Sequence, residues 1–480
     1  MPDFSGPLWL DLLVLLAYGA WVAGVSGMLL LARRPPASTL AWLLALLLLP
    51  YVGALLWFFF GPRRLRRKRL RYARSRSAVS ASAARFARPE HLSEDIFLRY
   101  RQLAVLAERL AQPAPARAAS HTLYFDGDAL YDAMRAAIDG AREHVHLEYY
   151  IWREDGIGTR LRDALAAKAR AGVPVRLLVD TVGSNTTRDR FFAPITDAGG
   201  EVAWFNRPHL KKLRFRHVNF RSHRKILVVD GRIGFVGGMN VADDHSARAR
   251  GDAAWRDTHL RIEGVPAAQL QRVFLDDWMF AHGPVPVLAT WFPDPAPGAG
   301  PYVQVVASGP DSDTLAIQRL LFNAVANARS SIRLTTPYFV PDEALLAALV
   351  AAALRGVSVR VLVPKRGDSR LVAAAARSYY DELARAGVEI WEYGPPMLHA
   401  KTAVFDELVS VVGTANLDNR SFSLNFEVVA TVYAPEVAQA LNARFERDLD
   451  LAARFVPSGR RAPLRERLLM GAARLFSPVL

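Results

Sequence analysis

Ser222-His-Arg-Lys-Ile-Leu-Val-Val-Asp230 and Leu398-His-Ala-Lys-Thr-Ala-Val-Phe-Asp406 carry one pattern twice: His-x-Lys-x-x-x-x-Asp at His223, Lys225 and Asp230, and again at His399, Lys401 and Asp406. Seven residues past each Asp begins Gly-x-x-Asn, Gly237 to Asn240 and Gly413 to Asn416, so His to Asn spans seventeen residues in both copies. Two copies matching at five positions in similar flanks indicate an internal duplication that has kept one chemistry. The expectation is a two-fold molecule with one shared site.

The flanks repeat as well. In the first half Asp132 to Arg142 reads as a helix, His144 to Trp152 as a strand, Thr159 to Ala171 as a helix and Gly172 to Asp180 as a buried parallel strand. Thr314 to Arg329, Ser331 to Val340, Glu343 to Arg355 and Gly356 to Pro364 repeat that order, and Glu201 to Phe205 and Glu389 to Tyr393 precede the two tetrads. Alternating strands and helices make the fold class α/β, with two pseudo-symmetric α/β/α sandwich halves. The predicted organisation is 1–61 a two-helix membrane hairpin, 62–116 a basic collar and helical linker, 117–290 the first half, 291–301 a Pro- and Gly-rich linker, 302–456 the second half and 457–480 an amphipathic tail.

The hairpin reading rests on two uncharged runs, Leu12 to Ala32 and Leu40 to Phe60. Each has 21 residues, long enough as a helix for a hydrocarbon core of about 30 Å. A secretory signal fits poorly, because the preceding residues hold Asp3 and Asp11 and no Lys or Arg. Nine Lys or Arg fall within residues 62–76, against Arg33 and Arg34 in the turn. That asymmetry predicts a multi-pass membrane protein whose remaining roughly 400 residues face the cytoplasm. A net charge of +15 fits either nucleic acid or anionic lipid, and the collar's place directly after an apolar run favours lipid.

Composition also narrows the chemistry. With no cysteine in 480 residues, thiolate catalysis, Cys-ligated zinc and disulfides are excluded. Each tetrad opens an apolar, β-branched segment, and residues two apart on a strand share a face, so each His projects with its Lys. Two such pairs meeting across a pseudo-twofold axis surround one small anion, for which a phosphodiester is the natural occupant. Lys225, Lys401, Asn240 and Asn416 supply donors to non-bridging oxygens, and the histidines supply nucleophile and acid. Asp257 and Glu427 are the candidates to hold the second ring nitrogen of each histidine. No cofactor and no metal are called for.

These residues resemble the phospholipase D superfamily, whose signature is this duplicated tetrad. Within it the chain looks like the bacterial cardiolipin synthases nearly end to end, through the hairpin and collar, Glu148-Tyr-Tyr-Ile151, Ser222 to Lys225, Thr335 to Asp342, Leu398 to Lys401, Gly413 to Ser421 and Asn425-Phe-Glu427. The resemblance implies that His223 attacks the phosphorus of one phosphatidylglycerol while His399 protonates the departing glycerol. A second phosphatidylglycerol then accepts the phosphatidyl group. It implies a structural part for Asp230 and Asp406, and partners that are phosphatidylglycerol and anionic membrane lipid, with no nucleic acid expected. The alternative is a membrane-bound phospholipase D, phosphodiesterase or nuclease of the same superfamily using water as acceptor.

Other features read more plainly. His144 and His259 taken singly are core residues, and His209, His217 and His223 lack a metal-binding spacing. The basic run from Arg207 to Lys225 fits a solvated loop as well as a headgroup-docking lip. Gly231 to Gly238 marks a turn and a close backbone approach rather than a dinucleotide loop. Leu464 to Leu480 fits the bilayer surface or a place against the catalytic core.

Overall fold

The computed structural model describes residues 8–31, 36–49, 51–53, 95–207, 220–283, 285, 288–294, 298–457 and 463–480. The chain divides into two compact units, one within Met1–Leu65 and one comprising Arg66–Arg207 and Phe220–Leu480. In the first, helices Leu8–Leu31 and Pro36–Leu48 pack through Val25, Leu29 and Leu46, with Trp21, Trp42 and Leu43 against them.

The expected pair of membrane spans is not carried over. Among the described residues no helix is long and apolar enough to cross a membrane. The second helix stops at Leu48, just before Pro50, whose imide nitrogen has no hydrogen to donate. Residues 54–60 of the expected second span, and the basic collar, lie outside the described residues.

The larger unit is built on one mixed sheet. Its main strands are β1 (Ala116–Tyr124), β2 (Val145–Tyr149), β3 (Val175–Asp180), β4 (Glu201–Phe205), β5 (Lys225–Val229), β6 (Ile233–Gly237), β7 (His259–Gly264), β8 (Tyr302–Ser308), β9 (Ser331–Thr335), β10 (Ser358–Pro364), β11 (Glu389–Tyr393), β12 (Thr402–Phe405), β13 (Val409–Gly413) and β14 (Asn425–Tyr433). Their spatial order is β11-β10-β9-β12-β13-β14-β8-β1-β7-β6-β5-β2-β3-β4. Read outward from the β8–β1 junction, the two halves present the same sequence of strands. In each, a parallel trio (β2, β3, β4 or β9, β10, β11) joins an antiparallel set.

The parallel trios form where both faces of the sheet are covered. All five residues of β2 are buried, and the helices Gly156–Arg170 and Glu343–Leu354 that connect successive strands begin on Asp155 and Asp342, whose carboxylates accept from Gly158 N and Leu345 N. One core lies in each half, and a third crosses between them through Val228, Val236, Leu260, Val303, Val404, Val412 and Val428. The halves therefore share a core within one compact unit. Trp291 and Phe292, read as the start of a linker, are buried against the first half, with the Trp291 ring 5.2 Å from that of His146.

Hairpin geometry explains the spacing inside each tetrad. Lys225 begins β5, the strand runs five residues, and Asp230-Gly231 turns it into β6 with φ of 53° and 64°. An Asp-Gly pair supports such a left-handed turn, since Gly bears no Cβ and Asp tolerates the conformation. Five residues of strand carry Asp230 roughly 16 Å from Lys225. Asp406, at φ 52°, occupies the matching turn after β12.

Candidate active site

Each histidine sits on the backbone of the opposite half. Arg221–Ser222 pairs in parallel with Asn425 and Phe426, and His223 N donates to Phe426 O at 2.9 Å. The second copy mirrors it: His399 N donates to Arg256 O at 2.7 Å, and Arg256 N to Met397 O at 2.9 Å. Phe426 directly precedes Glu427 and Arg256 directly precedes Asp257, so backbone pairing delivers each acid to a histidine of the other half.

The side chains complete this exchange. Both oxygens of Glu427 lie 3.0 Å from His223 Nδ1, and Asp257 Oδ2 lies 2.7 Å from His399 Nδ1. A carboxylate accepts only, so each pair places a proton on Nδ1 and leaves Nε2 for chemistry. Glu427 is itself held by Thr414 Oγ1 at 2.6 Å and Asn425 Nδ2 at 3.1 Å, while Asp257 Oδ1 accepts from Thr258 N at 2.7 Å. Gly238 is required beside Asp257, since a Cβ there would stand 2.1 Å from Asp257 Oδ1.

Two buried ammonium groups face the same space. Lys225 Nζ donates to His223 O at 2.7 Å and lies 5.4 Å from the centre of the Tyr150 ring, which meets the His223 ring edge-on at 4.8 Å. Lys401 Nζ donates to His399 O and stands 2.9 Å from His399 Nδ1. Burial, reinforced by the charge of Lys401, pushes Lys225 down to about 7; burial pushes Lys401 down to about 8. Both imidazoles are held well below their ordinary range, by burial first and then by the lysines. They are neutral at pH 7, as a nitrogen nucleophile requires. Burial raises Glu427 to about 7 against the pull of Lys225.

Beneath His223 lies a packed polar layer. Ser222 N donates to Asp180 Oδ2 at 2.8 Å, the Ser222 hydroxyl bonds Glu148, and Arg224 pairs with Asp277. On the other side Arg256 is locked to Asp448 through Nη2 at 2.8 Å. These contacts leave the histidine backbones little freedom, which is the pre-organisation a reacting constellation needs.

Of the ten residues singled out from the sequence, His223, Lys225, His399, Lys401, Asp257 and Glu427 converge here. Asn240 and Asn416 are buried in matching places, their backbone N–H groups donating to His245 Nε2 at 3.2 Å and Ser421 Oγ at 3.1 Å. Asp230 and Asp406 do not reach the site. Asp230 accepts from the amides of Arg142, Glu143 and His144, and Asp406 from those of Arg329, Ser330 and Ser331, at the far ends of their strands.

Four neighbours were not foreseen as site residues. His245 is buried 5.6 Å, ring to ring, from His399; Trp255 lies 5.3 Å from the same ring; Tyr150 and Thr414 flank His223 and Glu427. His245 follows Asn240 by five residues, as Ser421 follows Asn416, so aligning the two copies residue by residue would have exposed it. His245, Asp257 and His399 bring one ligand atom each within 4.8 Å of one another, the one such group among the described residues. Asp257 is already engaged with His399, and the Lys401 ammonium stands 2.9 Å from His399 Nδ1, which opposes a second cation there. His144 and His259 are fully buried, and burial lowers them to about 4 and about 3. His209 and His217 lie outside the described residues.

A duplicated α/β fold whose two buried His-Lys pairs lie near enough for each lysine's charge to act on both histidines is of the phospholipase D type. The family model described as cardiolipin synthase, phospholipase D-like domain, matches residues 134–278 and 321–449, and one described as phospholipase D-nuclease N-terminal matches 19–62. Cardiolipin synthase 1 of Bacillus anthracis is 37% identical, covering 99% of this chain and 94% of the relative. The major cardiolipin synthase ClsA of Bacillus subtilis strain 168 is 36% identical over 93% and 95%. Among solved structures, phosphatidylserine synthase of Haemophilus influenzae Rd KW20 superposes with a TM-score of 0.57 at 15% identity, over 79% of this chain and 100% of that one, a likeness of fold. The chain belongs to the bacterial cardiolipin synthase family of the phospholipase D superfamily.

Proposed function

We propose that the chain is a phosphatidyltransferase that makes cardiolipin and glycerol from two molecules of phosphatidylglycerol, through a phosphatidyl-histidine. The observation that supports this most is the exchange of acids between halves, with Glu427 on His223 and Asp257 on His399. It leaves two Nε2 atoms for one phosphodiester.

His223 Nε2 forms a bond to phosphorus as the bond from phosphorus to the glycerol oxygen breaks, and that oxygen takes a proton from His399. Arrival of the phosphodiester offsets the charges of Lys225 and Lys401, which removes their share of the opposition to a charged His399, and its Nε2 takes up that proton from water before the step. The terminal hydroxyl of a second phosphatidylglycerol then attacks phosphorus. His399 takes its proton back, and the bond to His223 breaks. Lys225, Lys401, Asn240 and Asn416 steady the non-bridging oxygens. One phosphodiester is exchanged for another, so no nucleotide is consumed. Asp230 and Asp406 act by fixing the hairpins that carry the lysines.

The enzyme is membrane-associated on this reading. Leu12, Leu13, Leu15, Leu16, Leu30 and Leu31 of the first helix and Leu40, Leu44, Leu47 and Leu48 of the second are all exposed. An aqueous surface of that composition is unfavourable, and acyl chains are its natural cover. With the basic residues of 62–76 beside anionic headgroups, the catalytic unit faces the cytoplasm.

Membranes bearing the protein, given labelled phosphatidylglycerol alone or with phosphatidylethanolamine in the presence of a chelator, test the proposal. Labelled cardiolipin and released glycerol are expected in both mixtures. Phosphatidic acid as the sole product would replace synthesis by hydrolysis, and loss of turnover with the chelator would overturn the metal-free mechanism.

A further inference from the structure

The helix Leu464–Leu475 is fixed on one side and open on the other. Ala473 is buried, the Arg474 guanidinium stands 4.4 Å from the centre of the Tyr379 ring and 3.8 Å from Glu382, and Ser477 Oγ bonds the Tyr379 hydroxyl at 3.0 Å. These contacts hold it against the helix Arg370–Arg385. On its outer side Leu464, Leu468 and Leu475 are 67%, 64% and 81% exposed. At 100° per residue these three fall within about 40° of one another, opposite Ala473, with Arg465 and Arg467 about 80° to either side. An apolar stripe with an arginine on each flank is the geometry of a helix lying in a membrane interface, where leucines enter the acyl boundary and arginines meet anionic headgroups.

The segment that follows reaches the catalytic region. The backbone oxygen of Leu480 accepts from Arg420 N at 2.8 Å, in the short helix Asn419–Ser423. That helix is capped by Asp418, whose carboxylate accepts from Ser421 N, and Ser421 Oγ in turn accepts from Asn416 N. A hydrogen-bonded path of a few residues therefore joins the exposed stripe to an asparagine of the duplicated motif.

We propose that the Leu464–Leu475 helix docks flat on an anionic bilayer through Leu464, Leu468 and Leu475, and thereby holds the loop from Asn416 to Ser423 at headgroup level. The docking stands on the helix itself. Its benefit to catalysis rests on the lipid substrate proposed above.

The chain has no cysteine, so Leu468→Cys in the full-length protein takes an environment-sensitive fluorophore at one place. Emission is expected to shift to the blue on vesicles of phosphatidylcholine with phosphatidylserine, less on phosphatidylcholine alone, and to be quenched by a lipid-borne quencher. The same label at Arg135→Cys, on the first half, stays unshifted. No shift with vesicles, or a shift without lipid that grows with protein concentration and so marks a second copy, overturns the docking. The double variant L468E/L475E should lose at least about tenfold in activity on phosphatidylglycerol in vesicles and keep full activity on short-chain phosphatidylglycerol dispersed as monomers. Equal loss on both substrates, or loss on neither, contradicts the proposed benefit. If the unaltered protein makes no cardiolipin from either substrate, the functional reading fails while the fluorescence still decides the docking.

Discussion

The first tetrad and the second are copies in sequence and unequal in surroundings. His223 leans on a glutamate held by Thr414 and Asn425, whereas His399 leans on an aspartate held by its own neighbour's amide and stands beside a second buried imidazole, His245. Among the described residues Asp230 is tied to backbone amides alone; Asp406 has these and also the Tyr100 hydroxyl at 2.7 Å, Arg99 at 3.3 Å and Ser330 Oγ at 2.9 Å. Duplication thus preserved the two His-Lys pairs and let the supports diverge. Each histidine depends on the half it does not belong to, so neither half holds a working copy by itself.

Unequal histidines should fail unequally. His223→Ala removes the proposed nucleophile, and turnover is expected to fall on the order of 10⁵- to 10⁶-fold. His399→Ala removes the proposed acid and base, and a loss of about 10²- to 10⁴-fold, seen as slow glycerol release, is expected. Equal losses in the two variants, measured by single-turnover kinetics, would erase the distinction drawn between the copies.

The crossed carboxylates come next. Glu427→Gln and Asp257→Asn each disturb a tautomer and should cost about 10²- to 10⁴-fold. The pairing is tested by double variants: Glu427→Gln adds little to His223→Ala, and Asp257→Asn adds little to His399→Ala, because each acid acts through its own partner. Additivity in those pairs would uncross the arrangement.

Much of this was legible in the residues. The duplicated tetrad and Gly-x-x-Asn lie close in sequence, and runs such as Val175–Asp180 and Ser358–Pro364 can be buried only as inner strands, so the halves and their strands were readable. Asp257 and Glu427 stood out as orienting acids. Which acid serves which histidine was not readable, since the choice is made by backbone pairing between segments about 140 and 200 residues apart. Asp230 and Asp406 belong to the motif by sequence, and the structural part expected of them agrees with the full strand that separates each from its lysine. Trp291 and Phe292 read as linker beside so many prolines, and only the surrounding fold supplies the walls that bury them.

A smaller effect separates the two lysines. kcat/KM on a dispersed substrate should be bell-shaped with its maximum near neutrality. On the acid side Glu427, raised to about 7, takes a proton and stops serving as a plain acceptor for His223. On the alkaline side Lys225, lowered to about 7, and then Lys401, lowered to about 8, give up the charge proposed to bind phosphate. A plateau from pH 7 to 10 would mean that the ammonium groups are not destabilised as their burial requires.

The smallest effect concerns the added side-chain support of Asp406 in the second half. Tyr100→Phe leaves Asp406 its backbone donors and removes one buried hydrogen bond to a charged group, which should lower stability by about 1–3 kcal/mol with activity nearly unchanged. Denaturant unfolding of the variant measures it. A large loss of activity without loss of stability would move Asp406 from scaffold into catalysis.

The most direct test is to quench the enzyme within a turnover on phosphatidylglycerol labelled in the phosphatidyl portion, digest it, and count and locate the acid-labile label. One phosphatidyl group per chain, on the peptide bearing His223 and absent from His223→Ala, is the predicted result. Label on both the His223 and His399 peptides at two per chain would mean two independent sites, and the shared pocket between the halves would be wrong.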